Sequence, residues 1–421
     1  MSNLSDLANL SNLSSLSSPT ATSCPANTPS LTTTSGTATA SRPLNSPGAP
    51  SPLVVLVVGQ VPPPVNGQSL MIQEFLSGSY DGLRLVHVPL RFSRSTAEIG
   101  AFDLRKIWVL LGTIADIARA RFRTAATVLY YPPAGPNLVP VLRDLVLLGA
   151  TRWLFKKTSF HFHAAGLAAI YPRLPLPLKP LFWLAYNKPD LAIFTTAATS
   201  AEATILHARA RAIVPCGIHD EAASTTSDGT ALRKDPATPT LLFAGILCEG
   251  KGLMTLLRAC ERLYRAGTPF RLVCIGAFDS SEFEQQVRDF IRIAGIASHI
   301  DLRGVVVGAE KTELFRSVDI FCFPSHYVSE SFGVVLIEAM CFSLPIVATR
   351  WRGIPEVTGE EGSFLVEVRD DAALAARLGE LLQSPALRAE MGHRNRARYL
   401  EHFTMQTYRH GMSTALQKLA S

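Results

Sequence analysis

The chain has 421 residues, of which 47% are hydrophobic and 18% are charged, and its formal net charge is +6 at pH 7. This length suits two globular domains of ordinary size. The mild positive charge is compatible with an anionic ligand or a negative membrane surface. The chain has no basic cluster interleaved with aromatics, so we expect no nucleic-acid partner.

Two sequence features bear on the compartment. The seven cysteines have neither CxxC nor metal-ligand spacing and mostly stand in apolar runs, which is typical of buried thiols in a reducing compartment. No apolar run approaches the roughly 18–20 residues that cross a bilayer, and no signal peptide is evident. We therefore predict a cytoplasmic protein, with peripheral contact to an anionic inner membrane face as an option.

The first 50 residues are rich in Ser, Thr, Asn, Pro and Ala, and Asp6 and Arg42 are their only charged side chains. Such a composition buries too little apolar surface to offset the entropy lost on ordering. We predict a disordered tail over residues 1–50.

Residues 51–217 alternate apolar runs with amphipathic segments, which is typical of a doubly wound α/β domain. The run 53–58 predicts a buried parallel strand, and a helix is predicted over 68–75. In the loop between them, Asn66 and Gly67 follow three prolines. The loop either lines a ligand cleft or is a stiff turn with Gly67 at positive φ. Further strands are predicted over 85–88, 127–131, 158–162 and 191–195, and a helix over 105–123.

Two apolar segments of this domain combine aromatic and basic side chains. They cover residues 140–155, with Trp153, and residues 173–187, with Trp183. A basic helix with aromatics on its apolar face can lie in a membrane interface, but most such helices are core helices with a solvated edge. We interpret both segments as core helices.

The strand over 158–162 runs into the sequence HFHAAG. His161 and His163 share a face of an extended strand, so a metal pair is conceivable, but no third ligand stands at a suitable spacing. His161 has the position of a core histidine with satisfied hydrogen bonds. His163 lies nearer the C-terminal end of the strand, where ligands bind in such sheets.

Residues 218–404 predict a second doubly wound domain, entered through a polar linker at 219–240. Its first strand ends at Gly245, and a loop with Lys251 leads into a helix over 253–265. A strand over 270–276 ends at Gly276, which opens the next loop. Shorter strands are predicted over 300–302 and 319–323, and helices over 282–295, 312–317, 372–383, 385–401 and 405–419.

The segment 325–356 reads SHYVSESFGVVLIEAMCFSLPIVATRWRGIPE. Its pattern predicts a polar loop, a helix over 334–340, a strand over 346–349 and a closing turn at 353–356. Both the polar entry and the proline after the apolar run indicate a helix bounded on each side.

Two glutamates and one glycine of this segment are candidate ligand contacts. If the run between Glu330 and Glu338 is helical, the carboxylates lie about 12 Å apart, too far to share one metal ion. Gly333 would let a ligand approach the first free N–H groups of the helix, which favour a phosphate. An anion between two hydroxyl-accepting carboxylates describes a site for a sugar nucleotide.

Glu330-x7-Glu338, with ESFG before it and GIPE after it, resembles the signature of retaining glycosyltransferases of the GT-B fold, family 4. The resemblance covers roughly residues 53–420. It implies an α/β fold of the GT-B class, with two doubly wound Rossmann-like domains facing a cleft. Residues 51–217 would form the acceptor-side domain, joined by the C-terminal helix 405–421, and residues 218–404 the nucleotide-sugar domain.

The resemblance also implies roles for individual residues. Glu330 would contact the donor sugar and Glu338 would hold the ribose, while His163 would face the sugar from the other side of the cleft. Lys251 matches the lysine of a Gly-Arg-Leu-x3-Lys-Gly loop that holds the pyrophosphate, but Ile246 stands at the arginine position. Asn66 and Gly67 would line the cleft, and the other implied donor contacts are Gly245, Gly276, Ser331, Phe332, Gly333 and Val334.

The leading hypothesis is a glycosyltransferase of the hexosyltransferase type. It would move a sugar from a nucleotide-diphosphate sugar to a glycan or polyprenyl-linked acceptor, in polysaccharide biosynthesis. No cofactor or metal is expected, because the chain has no Asp-x-Asp sequence. Two alternatives stay open: a nucleotide-sugar epimerase, and a non-catalytic GT-B protein that binds sugar nucleotides, which the Ile246 departure permits.

Overall fold

The computed structural model describes residues 52–63, 66–91, 104–223 and 237–420. The predicted tail at 1–50 and residues 224–236 of the predicted linker lie outside these ranges. The described residues belong to one compact unit. Two six-stranded sheets organise its described part, and every neighbouring pair of strands is parallel.

The first sheet lies in the N-terminal half of the described chain. Its strands are β1 (Leu53–Gly59), β2 (Leu83–Pro89), β3 (Val128–Tyr131), β4 (Lys157–Phe162), β5 (Leu191–Phe194) and β6 (Arg211–Ile213). Their spatial order is β2-β1-β3-β4-β5-β6. The order reverses between β1 and β3, and in open α/β sheets ligands bind beyond the strand ends at such a reversal.

The helices of this half cover both faces of the sheet. They are α1 (Gly67–Ser77), α2 (Leu104–Thr124), α3 (Leu138–Thr151), α4 (Leu178–Tyr186) and α5 (Ala201–Ile205), with 3₁₀ turns at Arg152–Leu154 and Leu167–Arg173. Successive strand residues face opposite sides. Leu56 and Val58 of β1 therefore pack with α2, α3 and α4, whereas Val55 and Val57 pack with α1.

The second sheet carries the C-terminal half. Its strands are β7 (Thr240–Ala244), β8 (Arg271–Ile275), β9 (Ile300–Gly304), β10 (Ile320–Phe323), β11 (Ile346–Thr349) and β12 (Ser363–Val366), in the order β12-β11-β10-β7-β8-β9. This is the order of a dinucleotide-binding sheet, and its reversal lies between β7 and β10.

The helices of the second half follow the strands in alternation. They are α6 (Leu253–Arg265), α7 (Ser281–Ile293), α8 (Gly308–Ser317), α9 (Val334–Cys341), α10 (Ile354–Thr358), α11 (Asp371–Gln383), α12 (Pro385–His402) and α13 (Met405–Gln417). The amphipathic helices α6 and α7 bury their apolar residues against one face of the sheet, together with α11.

The two halves share one apolar cluster, which includes side chains of β1, α1, β7, β10, α9 and α13. Helix α13 lies against the first half, because Tyr408 Oη donates to the Met71 carbonyl at 3.3 Å and Arg409 pairs with Glu74 at 3.1 Å. At the crossing between the halves, Ile218 pairs with Thr404 in an isolated bridge. Gly217 is needed there because a Cβ atom would lie 2.5 Å from the Thr404 carbonyl oxygen.

The predicted GT-B class is confirmed, and most predicted strands and helices agree with the structure within a few residues. Three elements are absent from the prediction: the short strands β6 and β12 and the short helix α5. The predicted closing turn at 353–356 is wrong, since Ile354 opens α10 with Pro355 in its first turn, where proline is tolerated. Among the helices of the described residues, none has the length and apolar composition to cross a membrane.

Candidate functional site

The candidate residues collect beyond the C-terminal ends of the strands at both reversal points. From the second half come the loops after β7 and β10, and from the first half the loops after β1, β3 and β4. Direct contacts join the two sets. Ser331 Oγ donates to the His163 carbonyl at 2.6 Å, and Ala165 N–H donates to the Ser329 carbonyl at 3.3 Å. The tertiary structure thus places the HFHAAG loop against the Glu330 loop.

Glu330 and Lys251 form an ion pair in the middle of this site. Lys251 Nζ lies 2.6 Å from Glu330 Oε2, and both side chains are largely buried. Ser325 donates a second hydrogen bond to the same oxygen at 3.0 Å. The ammonium also lies over the rings of Phe323 and Tyr327. A lysine held among a carboxylate and two aromatic rings is positioned rather than freely solvated.

Two glycines allow the Lys251 loop to lie this close to β10. Gly252 has φ +79°, and a Cβ atom there would lie 2.1 Å from the Pro324 carbonyl oxygen. At Gly250 a Cβ atom would meet the Tyr327 ring at 2.8 Å. Neither position accepts a side chain without displacing the loop. The Glu-Gly-Lys-Gly sequence therefore serves to bring the lysine to Glu330.

Glu338 has a lysine partner of its own, Lys311 from the first turn of α8. The Nζ atom lies 2.7 and 2.8 Å from the two carboxylate oxygens. Burial raises the pKa of Glu338, and the Lys311 ammonium counteracts part of this rise. The sequence prediction missed Lys311, because it started the α8 helix four residues late and no local spacing links position 311 to position 338.

The estimated separation of the two carboxylates along one helix does not apply. Helix α9 begins at Val334, so Glu330 stands in the preceding loop and only Glu338 is helical. Gly333 precedes the helix at φ +78°, and a Cβ atom there would lie 3.0 Å from Leu336 Cδ1. The positive φ therefore favours glycine at position 333, and a larger residue would also have to displace the Leu336 side chain. The same glycine leaves the first N–H groups of α9 without a side chain over them.

The other residues of the ESFG segment differ in what they contact. Phe332 is buried and lies edge-on to Phe403, so its side chain belongs to the shared core. The Ser331 carbonyl accepts a hydrogen bond from Thr196 Oγ1 at 3.2 Å, in addition to the bond from its hydroxyl to His163. Val334 lies at the start of α9, facing the first half. Their predicted roles as donor contacts stay predictions.

Gly245 and Gly276 lie side by side at the ends of β7 and β8. Their φ angles are +145° and +139°, and a Cβ atom on Gly276 would lie 1.7 Å from the Gly245 carbonyl oxygen. Close approach of the two loops therefore explains Gly276, and the positive φ explains glycine at position 245. Ile246 follows with a side chain that is 40% exposed, so no guanidinium extends from the position that resembles the phosphate-binding arginine.

His161 of β4 and His163, which directly follows the strand, lie in contact, with ring centroids 3.9 Å apart and ring planes tilted by 37°. His161 is fully buried, and its Nδ1 lies 2.6 Å from Tyr130 Oη. Desolvation lowers the pKa of His163 to about 4, and burial likewise lowers the pKa of His161. The Nε2 atoms of both rings are buried without a hydrogen-bond partner in the described structure. His163 is therefore neutral near pH 7.

Asn66 and Gly67 end the loop after β1, which lies at the same site. The Asn66 side chain accepts a hydrogen bond from Ser69 N–H at 2.9 Å, and the Ser69 hydroxyl accepts one from Asn66 N–H at 3.0 Å, which forms a capping box for α1. A Cβ atom on Gly67 would lie 3.5 Å from Val334 Cγ2 of the second half. The interpretation of Gly67 as a residue at positive φ is wrong, because it is the first residue of the helix.

Two further carboxylates organise the site and were missed from the sequence. Glu356 of α10 accepts hydrogen bonds from Ala197 N–H at 2.7 Å and Ala198 N–H at 2.9 Å, which joins the two halves. Glu202 of α5 accepts from Gly166 N–H and so holds the end of the HFHAAG loop. Burial raises the pKa of Glu202, against amide hydrogen bonds that lower it. Only the presence of GIPE hinted at the first of these contacts.

The described residues contain no group of three His, Cys, Asp or Glu side chains arranged to hold a metal ion. Lys251, Lys311 and the N-terminus of α9 supply positive charge at the site. The two lysines and the helix N-terminus are positive, whereas Glu330 and Glu338 can accept hydrogen bonds from hydroxyl groups. Such a set can bind a diphosphate flanked by two sugar rings.

Comparison with known proteins agrees with this geometry. Residues 238–384 match the family model of glycosyl transferases group 1. Over 152 residues the chain is 34% identical to a phosphatidyl-myo-inositol mannosyltransferase of Mycolicibacterium smegmatis, covering 36% of this chain and 38% of that protein. It is 30% identical over 193 residues to the putative colanic acid biosynthesis glycosyltransferase WcaL of Escherichia coli, covering 44% and 47%. The match spans less than half the length of either relative.

A solved structure extends the similarity to the whole fold. HepE of Anabaena, crystallised in complex with UDP, superposes with a TM-score of 0.67 over 86% of this chain and 99% of that one, at 16% identity. The same protein has also been crystallised with UDP-glucose. The recognition made from the sequence is confirmed, since residues 238–384 match the family model of glycosyl transferases group 1 and the chain has the fold of a GT-B glycosyltransferase.

Proposed function

We propose that this chain is a retaining glycosyltransferase of the glycosyl transferases group 1. It would move a hexose from a nucleotide-diphosphate sugar to a glycan or lipid-linked acceptor, in polysaccharide biosynthesis. The observation that carries the proposal is the paired arrangement Lys251–Glu330 and Lys311–Glu338 around the N-terminus of α9. WcaL and the mannosyltransferase named above support the reaction class, and the UDP bound to HepE supports the donor class.

Each residue has a role in this proposal. The Glu338 carboxylate accepts hydrogen bonds from the ribose hydroxyls, and Glu330 orients the donor sugar. Lys251 and the first N–H groups of α9 stabilise the negative charge that develops on the leaving diphosphate, which is the largest electrostatic demand of such a transfer. His163, kept neutral by burial, hydrogen-bonds the sugar from the acceptor side.

The positive charge needed at the diphosphate would come from these lysine and amide groups, and we propose that no metal ion takes part. Activity is then expected to be the same in EDTA and in added Mg²⁺. A rate that depends on the added cation would refute this part of the proposal. Retention of configuration is tested by NMR of the product, whose anomeric coupling should match that of the donor.

The test of the donor site is thermal stability against UDP, GDP and ADP and their common sugar conjugates. A ligand at one hundred times its dissociation constant adds about 2.7 kcal/mol to the free energy of unfolding. We expect one nucleotide to stabilise the wild type and Glu338→Ala to lose that gain. Glu284→Ala is the matched control, since it removes a glutamate paired with an arginine on α7, a helix that carries none of the candidate site residues; it should keep the gain.

A second function has one observation in its favour. Ile246 stands where the family resemblance places a phosphate-binding arginine, so one cationic contact is missing. A non-catalytic protein that binds sugar nucleotides would show the thermal shift but no release of nucleoside diphosphate with any acceptor. An epimerase would isomerise the donor without an acceptor. If no nucleotide stabilises the wild type, the donor site as drawn is wrong.

We place the reaction at the cytoplasmic face of a membrane, where a lipid-linked acceptor is available. Cell fractionation tests this placement. Recovery of the protein in the membrane fraction at low salt and in the supernatant at high salt would support peripheral contact. Recovery only in the supernatant at both salt concentrations would refute it.

A further inference from the structure

Four buried polar atoms of the first half have no hydrogen-bond partner among the described residues. They are Nε2 of His161, Nε2 of His163 and the hydroxyl oxygens of Ser159 and Thr195. Ser159, His161 and Thr195 are each at most 1% exposed. Buried polar groups of folded proteins almost always make a hydrogen bond, either to protein or to an ordered water. A cluster of such atoms therefore indicates a bound polar molecule.

The four side chains lie close together beneath the cleft. Ser159 and His161 are alternate residues of β4, so they point to the same face of the sheet. His163 continues this row, because its ring contacts that of His161. Thr195 directly follows β5, and the register of β4 with β5 places it beside His163. Neighbouring strands lie about 4.8 Å apart and alternate residues of one strand about 6.6 Å apart. One or two small molecules can therefore reach all four groups.

Tyr130 decides which nitrogen of His161 carries the proton. Its hydroxyl lies 2.6 Å from His161 Nδ1 and has no other hydrogen-bond partner in the described part of the chain. If the phenol donates this bond, only the Nε2–H group of His161 lacks a partner. If Nδ1–H donates instead, both the phenol proton and Nε2 lack one. The first arrangement leaves fewer buried groups unsatisfied, so His161 carries its proton on Nε2.

We propose that a buried water molecule bridges Nε2 of His161 and Nε2 of His163 and thereby fixes the proton of His163 on Nδ1. Water suits the site because the four atoms belong to uncharged donors and acceptors, and an internal water typically makes about three hydrogen bonds. Burial lowers the pKa of both histidines, which keeps the two rings neutral near pH 7.

The direction of the hydrogen bonds selects this tautomer of His163. From Tyr130 to His161, from His161 to the water and from the water to His163, each group donates to the next. Hydrogen bonds aligned head to tail in this way polarise and strengthen one another. Two N–H groups directed at the same water from adjacent rings would lose that alignment. The water therefore donates to His163 Nε2.

The bridge gives His163 a defined role at the cleft. Its side chain is only half-buried, and with Nε2 turned inward Nδ1 is the ring nitrogen that can meet a ligand. An Nδ1–H group donates a hydrogen bond to a substrate oxygen and cannot accept the proton of an attacking hydroxyl. Tyr130 and His161 are then positioning residues that act through His163. This role rests on the proposed sugar transfer, whereas the water and the tautomer do not.

A core histidine with satisfied hydrogen bonds is the interpretation of position 161 from sequence. Its burial agrees with the structure, but only Nδ1 has a partner. The spacing of His161 and His163 places both rings on one side of the strand, which is why one small molecule can contact both.

Two measurements on the full chain test the water and the tautomer directly. An experimental crystal structure should show a water oxygen within about 3.2 Å of both Nε2 atoms. NMR spectra of isotopically labelled histidine distinguish protonated from unprotonated ring nitrogens, and the signals are assigned by their loss in His161→Gln and in His163→Gln. We expect His161 to carry its proton on Nε2 and His163 to carry its proton on Nδ1.

Tyr130→Phe tests the chain of hydrogen bonds, because it removes only the hydroxyl that faces His161. His163 should then populate both tautomers, and kcat should fall by the same factor as the population with the proton on Nδ1. The matched control is Tyr131→Phe, which removes a buried hydroxyl from the next residue of β3, where it donates to Asp144 at 2.6 Å. This control should leave the signals of both histidines in place.

Circular dichroism and the nucleotide thermal shift report whether each variant is folded and whether its donor site is intact, so loss of the tautomer is distinguishable from failure of the proposed function. Three results would overturn the proposal. The first is an electron density map without a water between the two rings, and the second is a wild-type His163 with its proton on Nε2. The third is a pair of histidine signals that Tyr130→Phe leaves unchanged or that Tyr131→Phe changes equally.

Discussion

Glu356 offers a test of how the two halves cooperate. Its carboxylate, which belongs to the GIPE motif of the second half, accepts hydrogen bonds from two backbone N–H groups of the turn at 197–198 in the first half. The adjacent Gly353 is in equally close contact, since a Cβ atom there would lie 2.1 Å from the Ser331 carbonyl oxygen and 2.8 Å from Thr196 Oγ1. These contacts lie beside the Ser331–His163 hydrogen bond, so we expect Glu356 to set the position of the His163 loop.

The size of the expected loss of stability follows from the two hydrogen bonds that Glu356 accepts. A hydrogen bond to a charged group contributes about 1.5–3 kcal/mol when buried, and solvent around the exposed Glu356 carboxylate reduces this. We expect Glu356→Ala to lower the free energy of unfolding by about 1–2 kcal/mol in total. If this free energy stabilises only the conformation in which the two halves are in contact, Glu356→Ala lowers the population of that conformation about 5- to 30-fold relative to conformations in which they are apart.

The assay combines guanidinium unfolding with steady-state kinetics. Donor KM should change little, because Lys251 and Glu338 both belong to the second half, whereas kcat should fall about tenfold. Glu356→Gln keeps one acceptor oxygen and should recover part of kcat. The control is Glu360→Gln, which breaks an exposed ion pair with Arg350 within the second half. Equal kcat and equal unfolding free energy in the Glu356 and Glu360 variants would refute the reasoning.

Two further predictions concern buried ionisable side chains of the first half. Asp144 is fully buried and accepts hydrogen bonds from Tyr131, Tyr186, Ala134 N–H and Arg143. Asp144→Asn should lower the free energy of unfolding, measured in guanidinium, by about 3–5 kcal/mol because Arg143 loses its counter-charge. A loss below about 1 kcal/mol would contradict this. Burial lowers the pKa of His163 to about 4 in the folded protein. As the pH is lowered from about 6.5 to 4, this histidine is therefore protonated in the unfolded chain before it is protonated in the folded one, and the free energy of unfolding should fall. His163→Gln should reduce that slope, and an unchanged slope would be evidence against burial as its cause.

The strands and helices were largely readable from the sequence because their signals are local. Continuous β-branched runs such as 53–58 are buried on both faces of a parallel sheet, and the apolar period of residues 253–265 is that of a helix. Elements with short or weakly apolar sequences escaped prediction. Strand β6 has only three residues, two of them exposed, and its place is decided by pairing with β5.

The candidate site was readable in part. The motif around Glu330 and Glu338 and the Glu-Gly-Lys-Gly loop are contiguous, so their side chains could be named in advance. Their pairing could not, because Lys251 is 79 residues from Glu330 in sequence. Lys311 and Glu202 had no local signal at all. Each gains its partner only when strands distant in sequence become neighbours in a sheet.

The sequence by itself determined the alternation of strands and helices, the two-domain class and the residues that resemble a sugar-nucleotide site, since these depend on periodicity and on short motifs. Only the tertiary structure decided that Glu330 and Glu338 each pair with a lysine, that Glu356 joins the halves, and that α2, α3 and α4 leave apolar side chains outside. Contacts between distant residues, and the side of a helix that remains uncovered, depend on how the sheets and helices pack in three dimensions. Local sequence carries no information on that packing.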